Sequence, residues 1–289
     1  MNTYKMVKVF LTSIESGSFT KAGEILGYTQ SNLTQMMKSF EEEMGIPLLI
    51  KTKQGVSPTE EATLLIPSMR AMLSQEERFF QEADEIRGIR KGSIRIGTYV
   101  STSSAWLPGV LGYFQQNFPD VEFNIFESGQ DEMMQGLLSG SIDLALMSDP
   151  ENVDLEFIHI LDDPMVVVFP PNHPFDAYDY VPLEKLKDHP LVMTYRQYDS
   201  DANKVLREAG LENSVKYRFK DDFAVLSMVQ NGLGISILPE LTLERFPGVC
   251  EYRMLDPESY RSLGIGVRSL KEAGPLARAV IDYMKKSIR

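Results

Sequence analysis

Residues 17–41 read GSFTKAGEILGYTQSNLTQMMKSFE. Two short helical patterns lie here, joined by a glycine. Ser18 is placed to cap the first, and Lys21, Ala22, Ile25 and Leu26 follow it. Gly27 sits where the chain must turn tightly, because glycine adopts left-handed backbone at little cost. Thr29 is placed to cap the second helix, which runs from about Gln30 to Met44 with Leu33, Met36, Met37 and Phe40 on its apolar side. Gly45 stops it.

Working outward on the amino-terminal side, Met6, Val7, Phe10, Leu11 and Ile14 fall at helical spacing and Gly17 closes that helix. On the other side, Pro47, Leu48, Leu49 and Ile50 lead into residues 51–56, KTKQGV, a two-stranded turn or wing. The set matches what a helix-turn-helix needs: an apolar core, a tight turn, and a second helix opening on polar residues. Phe19, Ala22, Leu26, Leu33 and Phe40 form the expected core. Gln30, Ser31, Asn32, Thr34, Gln35 and Lys38 then project toward a major groove and its phosphates. Gln and Asn can pair bidentately with adenine, and Lys can neutralise phosphate or reach guanine.

Charge sets a condition on that reading. The chain has 289 residues and a formal net charge of -12, whereas DNA attracts positive surface. Residues 1–60 hold six Lys and six Glu, so the reading segment is neutral and the acidic excess lies beyond it. The length implies two or three domains. A single cysteine, Cys250, allows no internal disulfide and fits a reducing cytoplasm. We expect no signal peptide and no membrane span, since no long apolar run follows the first residues.

From Pro58 to about Gly88 the pattern is one long helix, with Pro58 at its start. Ala62, Met69, Glu76 and Ala83 recur every seven residues, and Leu65/Ile66, Met72/Leu73, Phe79/Phe80 and Ile86 fill a second heptad position. Such a seam predicts pairing with a second copy of the helix. Glu76 interrupts it, and Pro67 removes a backbone hydrogen bond inside it. Residues 87–92, RGIRKG, read as a short basic hinge.

Beyond the hinge, strand and helix patterns alternate. Strands are expected at 93–98, 121–126 and 143–147, and helices at 103–118 and 131–139. Apolar stretches follow at 155–161 and 165–169. Short elements continue to 238, and a strand near 263–268 and a helix near 275–286 close the chain. The alternation implies a parallel sheet covered by helices, in two halves with a cleft between them. Ligands in such folds bind beyond the carboxyl ends of strands. Ser101, Thr102 and Ser103 stand at one such place, where hydroxyls and helix-start amides favour an anion such as a carboxylate. Ser148 follows another strand. Tyr195 and Arg196 follow a third, and Arg196 offers a bidentate carboxylate partner. Phe223, near a helix start, walls the cleft or joins the core. Asp221 and Asp222 are placed to cap that helix, and Asp162 and Asp163 to act structurally near the crossover between the halves.

Enzyme chemistry finds no foothold. His159, His173 and His189 form no metal-ligand spacing with each other or with Cys250, so no metal and no cofactor is expected. No nucleophile elbow or phosphate loop is present. Residues 232–234, GLG, are too short for a dinucleotide fingerprint and precede a strand rather than follow one. Cys250 lies in an alternating apolar stretch and reads as an inert buried thiol rather than a redox sensor.

In order along the chain, GSFTKAGEILGYTQSNLTQMMKSFEEEMGIPLL (17–49), GVSPTEEA (55–62), GSIRIGTYVSTSSAWLPGVLGYFQQNFPDVEF (92–123), GSIDLALM (140–147) and VQNGLGISILPE (229–240) resemble the LysR-type transcriptional regulators. The resemblance spans nearly the whole chain. It implies a winged helix-turn-helix over 1–58, a dimerising linker helix over 59–88, a hinge at 89–92 and an α/β periplasmic-binding-protein-like effector domain over 93–289. That domain would have two subdomains, about 93–161 with 267–289, and about 162–266. The implied partners are double-stranded operator DNA, a small-molecule effector in the cleft, and other copies of the chain, as a dimer through the linker helix and a tetramer, usually a dimer of dimers, with no membrane. Ser18, Thr29 and the six polar residues of the second helix would meet DNA, together with Lys51 and Lys53 of the wing. The family often carries Arg and Gln where this chain has Gln35 and Met36, and more Arg in the wing.

Overall fold

The computed structural model describes residues 3–52, 55–86, 91–151, 153–195, 197 and 200–288. The chain divides into two compact units, Met1–Arg87 with Leu138–Ser141, and Gly88–Leu137 with Ile142–Arg289.

The first unit opens with three helices, α1 (Thr3–Ser16), α2 (Phe19–Leu26) and α3 (Gln30–Met44). Met6, Phe10, Phe19, Ala22, Leu33, Met37 and Phe40 close one core between them. Ser18 caps α2 by accepting from the Thr20 amide, and Thr29 caps α3 by accepting from Asn32. The turn between them depends on two glycines. Gly27 sits at φ 72°, and a Cβ on Gly23 would lie 2.5 Å from the Tyr28 carbonyl oxygen. The sequence reading singled out only Gly27.

The wing follows as β1 (Leu49–Thr52) paired antiparallel with β2 (Gly55–Pro58), Leu49 opposite Pro58. It is anchored by the Val56 amide on the Gly17 carbonyl at 2.9 Å. Glu41 Oε1 accepts from the amides of Leu48 and Leu49 at 2.8 and 3.0 Å, which fixes the entry to the wing.

The long helix, α4, spans Glu60–Ile86 and runs through Pro67. Its start differs from the expected Pro58, which instead ends β2. Thr59 is the cap: its hydroxyl accepts from the Ala62 amide at 3.0 Å and donates to the Pro47 carbonyl at 2.9 Å. The heptad seam is also divided. Ala62 and Met69 are buried in the core of this unit, with Leu65, Ile66 and Leu73 packed beside them. Glu76 is matched by Tyr4 of α1, whose hydroxyl is pushed up to about 12 by burial and by its hydrogen bond to Glu76. Leu64, Met72, Phe79 and Phe80 are left exposed. The proposed hinge lies mostly outside the described residues.

The second unit holds β3 (Gly92–Thr98), α5 (Val100–Asn117), β4 (Val121–Glu127), α6 (Gln130–Ser139), β5 (Leu144–Ser148) and the long strand β6 (Glu156–Phe169). Then come β7 (Tyr180–Pro182), β8 (Leu191–Thr194), α7 (Ser200–Glu208), β9 (Val215–Phe219), α8 (Asp222–Gln230), β10 (Ser236–Pro239), α9 (Glu240–Leu243), β11 (Glu251–Asp256), β12 (Tyr260–Val267) and α10 (Pro275–Ser287). Strands β3, β4 and β5 are parallel, as expected, but the sheet as a whole is mixed. β12 runs antiparallel to β5 and β6, and β10 and β11 run antiparallel to β6. Strand direction depends on pairing far along the chain, so the local alternation could not carry it.

Three buried clusters pack on the strands, one in the first lobe and two in the second. One gathers Ile94, Ile96, Trp106, Phe114, Leu144, Leu146, Leu263, Ile265 and Val280. The other lobe is built on Met165, Val167, Phe169, Leu191, Leu206 and Ile237, with Val166, Val168, Val225 and Leu226 on the opposite face of the sheet. The stretches 155–161 and 165–169 are a single strand, β6, that passes from one lobe to the other. The return crossing lies between β11 and β12, at 257–259. The expected second subdomain, 162–266, therefore ends too late: β12 pairs with β5, and Leu263 and Ile265 bury in the first lobe. The GLG stretch has a packing reason, since a Cβ on Gly234 would lie 2.3 Å from the Pro190 carbonyl oxygen.

Candidate nucleic-acid interface and effector cleft

Helix α3 separates its residues cleanly by face. Leu33, Met37 and Phe40 are buried, while Gln30, Ser31, Asn32, Gln35 and Lys38 are exposed. Thr34 is half-buried and donates back to the Gln30 carbonyl at 3.0 Å, and the Gln30 amide reaches its hydroxyl at 3.5 Å. Lys38 approaches Glu42 at 3.9 Å in an exposed pair that water screens heavily. The helix thus presents amide and ammonium groups without tying them to the core. Ser18 and Thr29 serve first as caps. Lys51 lies in β1, with its side chain outside the described residues, as is the whole of Lys53.

In the second unit a cleft of about 650 Å³ opens between the two lobes. Its floor is a buried ion pair. Arg261 on β12 stands opposite Asp163 on β6, with Nη2 2.7 Å from Oδ2, and both side chains are almost fully buried. Asp163 also accepts from the Leu241 amide at 3.0 Å, and Arg261 donates to the Ser101 hydroxyl at 2.9 Å. One guanidinium therefore joins both crossing strands and the start of α5. The Arg261 charge also lies 5.6 Å from the Tyr99 ring centroid. Tyr99 donates to Gln130 at 3.1 Å, and burial holds its hydroxyl well above the usual range.

The walls are unequal. The first lobe contributes Tyr99, Ser101 and Glu127; the second contributes Asp222, Phe223, Arg245 and Phe246. Asp221 caps α8 by accepting from the Ala224 amide at 2.8 Å. Asp222 lines the cleft instead of capping, and enclosure by protein raises its carboxyl pKa even though Arg261 and Arg245 pull it down.

Of the effector-site residues expected from sequence, Ser101 and Phe223 line this cleft. Ser101 does so with its hydroxyl occupied by Arg261. Thr102 is fully buried, its hydroxyl shared with Thr98 at 2.8 Å, so it belongs to the core. Ser103 lies one residue further round α5, away from the lining. The helix begins at Val100 rather than Ser103, and that shift turns both residues off the cleft. Ser148 donates to Asp201 at 2.6 Å and Tyr195 is exposed outside the lining. Arg196 lies outside the described residues. The hydroxyl cluster expected to favour an anion does not assemble. Asp222, Arg245, Phe246 and Arg261 also line the cleft, and sequence reasoning did not single them out for it. The one available signal was a charged Arg261 among the apolar residues of β12.

Cys250 is half-buried, and burial pushes its thiol up to about 11, so little thiolate forms. Among the described residues no group of three or more His, Cys, Asp or Glu is placed to hold a metal ion. No described helix is long and apolar enough to cross a membrane.

Comparison with known proteins matches this two-part geometry. The family model described as "Bacterial regulatory helix-turn-helix protein, lysR family" matches residues 4–63, and that described as "LysR substrate binding domain" matches residues 87–289. The chain is 30% identical over 288 residues to the uncharacterized HTH-type transcriptional regulator YvbU of Bacillus subtilis, covering 98% of each. It is 27% identical to the HTH-type transcriptional activator CmpR of Synechocystis sp., over 98% of this chain and 94% of that protein. Among solved structures, full-length OxyR from Pseudomonas aeruginosa superposes with a TM-score of 0.78 at 22% identity, covering 100% of this chain and 95% of that one. CbnR, solved in complex with its target DNA, gives 0.66 at 18% identity and 99% coverage of both. At such identities the solved structures speak to fold alone.

Proposed function

The chain belongs to the LysR family of bacterial transcriptional regulators, and on that premise we propose how its own residues read DNA and sense an effector. It is a DNA-binding regulator, not an enzyme. We assign base reading to the amino-terminal half of α3. Gln30, Asn32 and Gln35 offer bidentate amides to adenine edges, and Ser31 and Thr34 offer hydroxyls. Lys38, with Lys51 and Lys53 of the wing, neutralises phosphate, while Ser18 and Thr29 present helix amino termini to the backbone. The single observation that supports this most is the exposed polar face of α3 opposite Leu33, Met37 and Phe40.

The effector site is assigned to the cleft over the Arg261–Asp163 pair. Binding there would draw the two lobes together across the crossings at β6 and 257–259, and the closed state would differ in its preference for operator-bound assemblies. Copies of the chain associate, and the exposed apolar residues of α4 are our candidate contact. We place the boundaries at 1–58 for the reading domain, 59–88 for the linker helix, 89–92 for the hinge and 93–289 for the effector domain. The cytoplasm, where the chromosome lies, is the proposed compartment.

Fluorescence anisotropy on an operator fragment tests the reading assignment. Gln30→Ala with Asn32→Ala should weaken specific binding by about 1–3 kcal/mol per lost bidentate contact while the circular dichroism stays unchanged. Unaltered affinity in a folded double variant would refute it.

A further inference from the structure

We propose that the effector recognised in this cleft carries a protonated amine, with an apolar or aromatic body lying against Phe223 and Phe246. The inference rests on the reading of the cleft as the effector site.

The charge balance of the walls comes first. Glu127, Glu132, Asp201, Asp221 and Asp222 all line the cavity. Facing them are Lys220, Arg245 and Arg261. Arg261 is already neutralised by Asp163 at 2.7 Å, a residue beneath the lining. Among the described residues, five carboxylates thus line the cleft against two further cations, Lys220 and Arg245. A carboxylate-only ligand entering this space would meet net repulsion, whereas an ammonium would relieve it.

Asp222 then locates the recognition point. Asp201 is engaged by Ser148 at 2.6 Å and Asp221 by its own helix. Asp222 has neither a hydrogen bond nor an ion pair among the described residues, although it is half-buried, lines the cavity and lies within the field of Arg261 and Arg245. Enclosing an unpartnered carboxylate is costly, and the cost disappears when a cation supplies a charge-assisted hydrogen bond. Beside it, the Phe223 ring is 67% exposed and its centroid lies 6.0 Å from that of Phe246. The Arg245 guanidinium already stands 5.6 Å from the Phe246 ring centroid, so it is the exposed Phe223 face beside the carboxylate that favours an organic cation over an anion, because a ring face is itself negative.

Isothermal titration of the full chain with two matched sets tests this: phenethylamine, phenylalanine and 3-phenylpropionate, and pentylamine, norvaline and pentanoate. We expect the amine-bearing members to bind at least tenfold tighter than the carboxylate-only member of each set. Asp222→Asn, checked for folding by circular dichroism, should remove that preference, and Phe223→Ala should weaken the aromatic set. Tighter binding of 3-phenylpropionate, strengthened by Asp222→Asn, would overturn the amine and leave the cleft as the effector site. Binding indifferent to both variants would overturn the cleft as well. Failure of all six at millimolar concentration would overturn the amine assignment, while operator binding in the anisotropy assay would still stand for the reading domain.

Discussion

Arg261 and Asp163 show how much one buried pair organises. The pair ties β12 to β6, reaches Ser101 at the start of α5 and holds α9 through the Leu241 amide. Replacing Arg261 with Met leaves Asp163 buried without its cation, so we predict a loss of about 3–5 kcal/mol in denaturant unfolding. Asp222 carries the opposite sign. Its carboxyl pKa is raised in the folded chain, so its contribution to stability is present at low pH and is lost as pH rises through the folded value. Asp222→Asn should therefore melt higher than the parent at neutral pH, with the difference closing as pH falls below the ordinary aspartate range. A melting difference that grows on acidification would contradict the assignment. Cys250 belongs to this scale too. Raised from 9.0 to about 11, its thiol should react with iodoacetamide at neutral pH about a hundredfold more slowly than a free cysteine. Neither Arg261 nor Asp222 was legible as a site residue: Arg261 takes its role from Asp163, 98 residues away, and Asp222 from a cleft wall that exists only once the lobes have packed. Ser18, Thr29 and the polar face of α3 were legible, because caps and helical faces are written in local spacing.

At the scale of elements, α4 tests how a helix is started and how its faces are shared. Thr59 caps it, and Thr59→Ala should cost about 1 kcal/mol in the stability of the first unit. Its apolar residues serve two purposes. Ala62 and Met69 close the local core, whereas Leu64, Phe79 and Phe80 are 80%, 63% and 57% exposed, more water contact than an apolar residue with no partner usually keeps. Phe79→Glu with Phe80→Glu should therefore reduce the assembled protein to smaller species in analytical ultracentrifugation, with helicity retained. Retention of the parent's oligomeric state would move the contact elsewhere. The heptad pattern announced the seam, but only packing decided which half stays at home. The same limit appears in the sheet. Strand positions followed from apolar runs, yet the antiparallel β12 and the continuity of β6 through Asp162 and Asp163 depended on long-range pairing.

At the scale of the whole molecule, the acidic balance and the DNA-binding role are reconciled by placement. The excess negative charge lies beyond residue 60, and part of it lines the effector cleft. A neutral reading segment makes few phosphate contacts, so we expect salt dependence shallower than that of a strongly basic binder. Lys38→Ala should lower the salt slope by about 1. The central claim is that α3 reads a specific operator through Gln30, Asn32 and their neighbours. The most direct measurement is a nuclease footprint of the full chain on the DNA flanking its own gene, at a stated salt concentration, with the parent protein and with Gln30→Ala/Asn32→Ala. The account predicts a protected pair of half-sites that vanishes in the folded double variant. Protection no greater than on unrelated DNA, or a footprint that survives the double substitution, would contradict it.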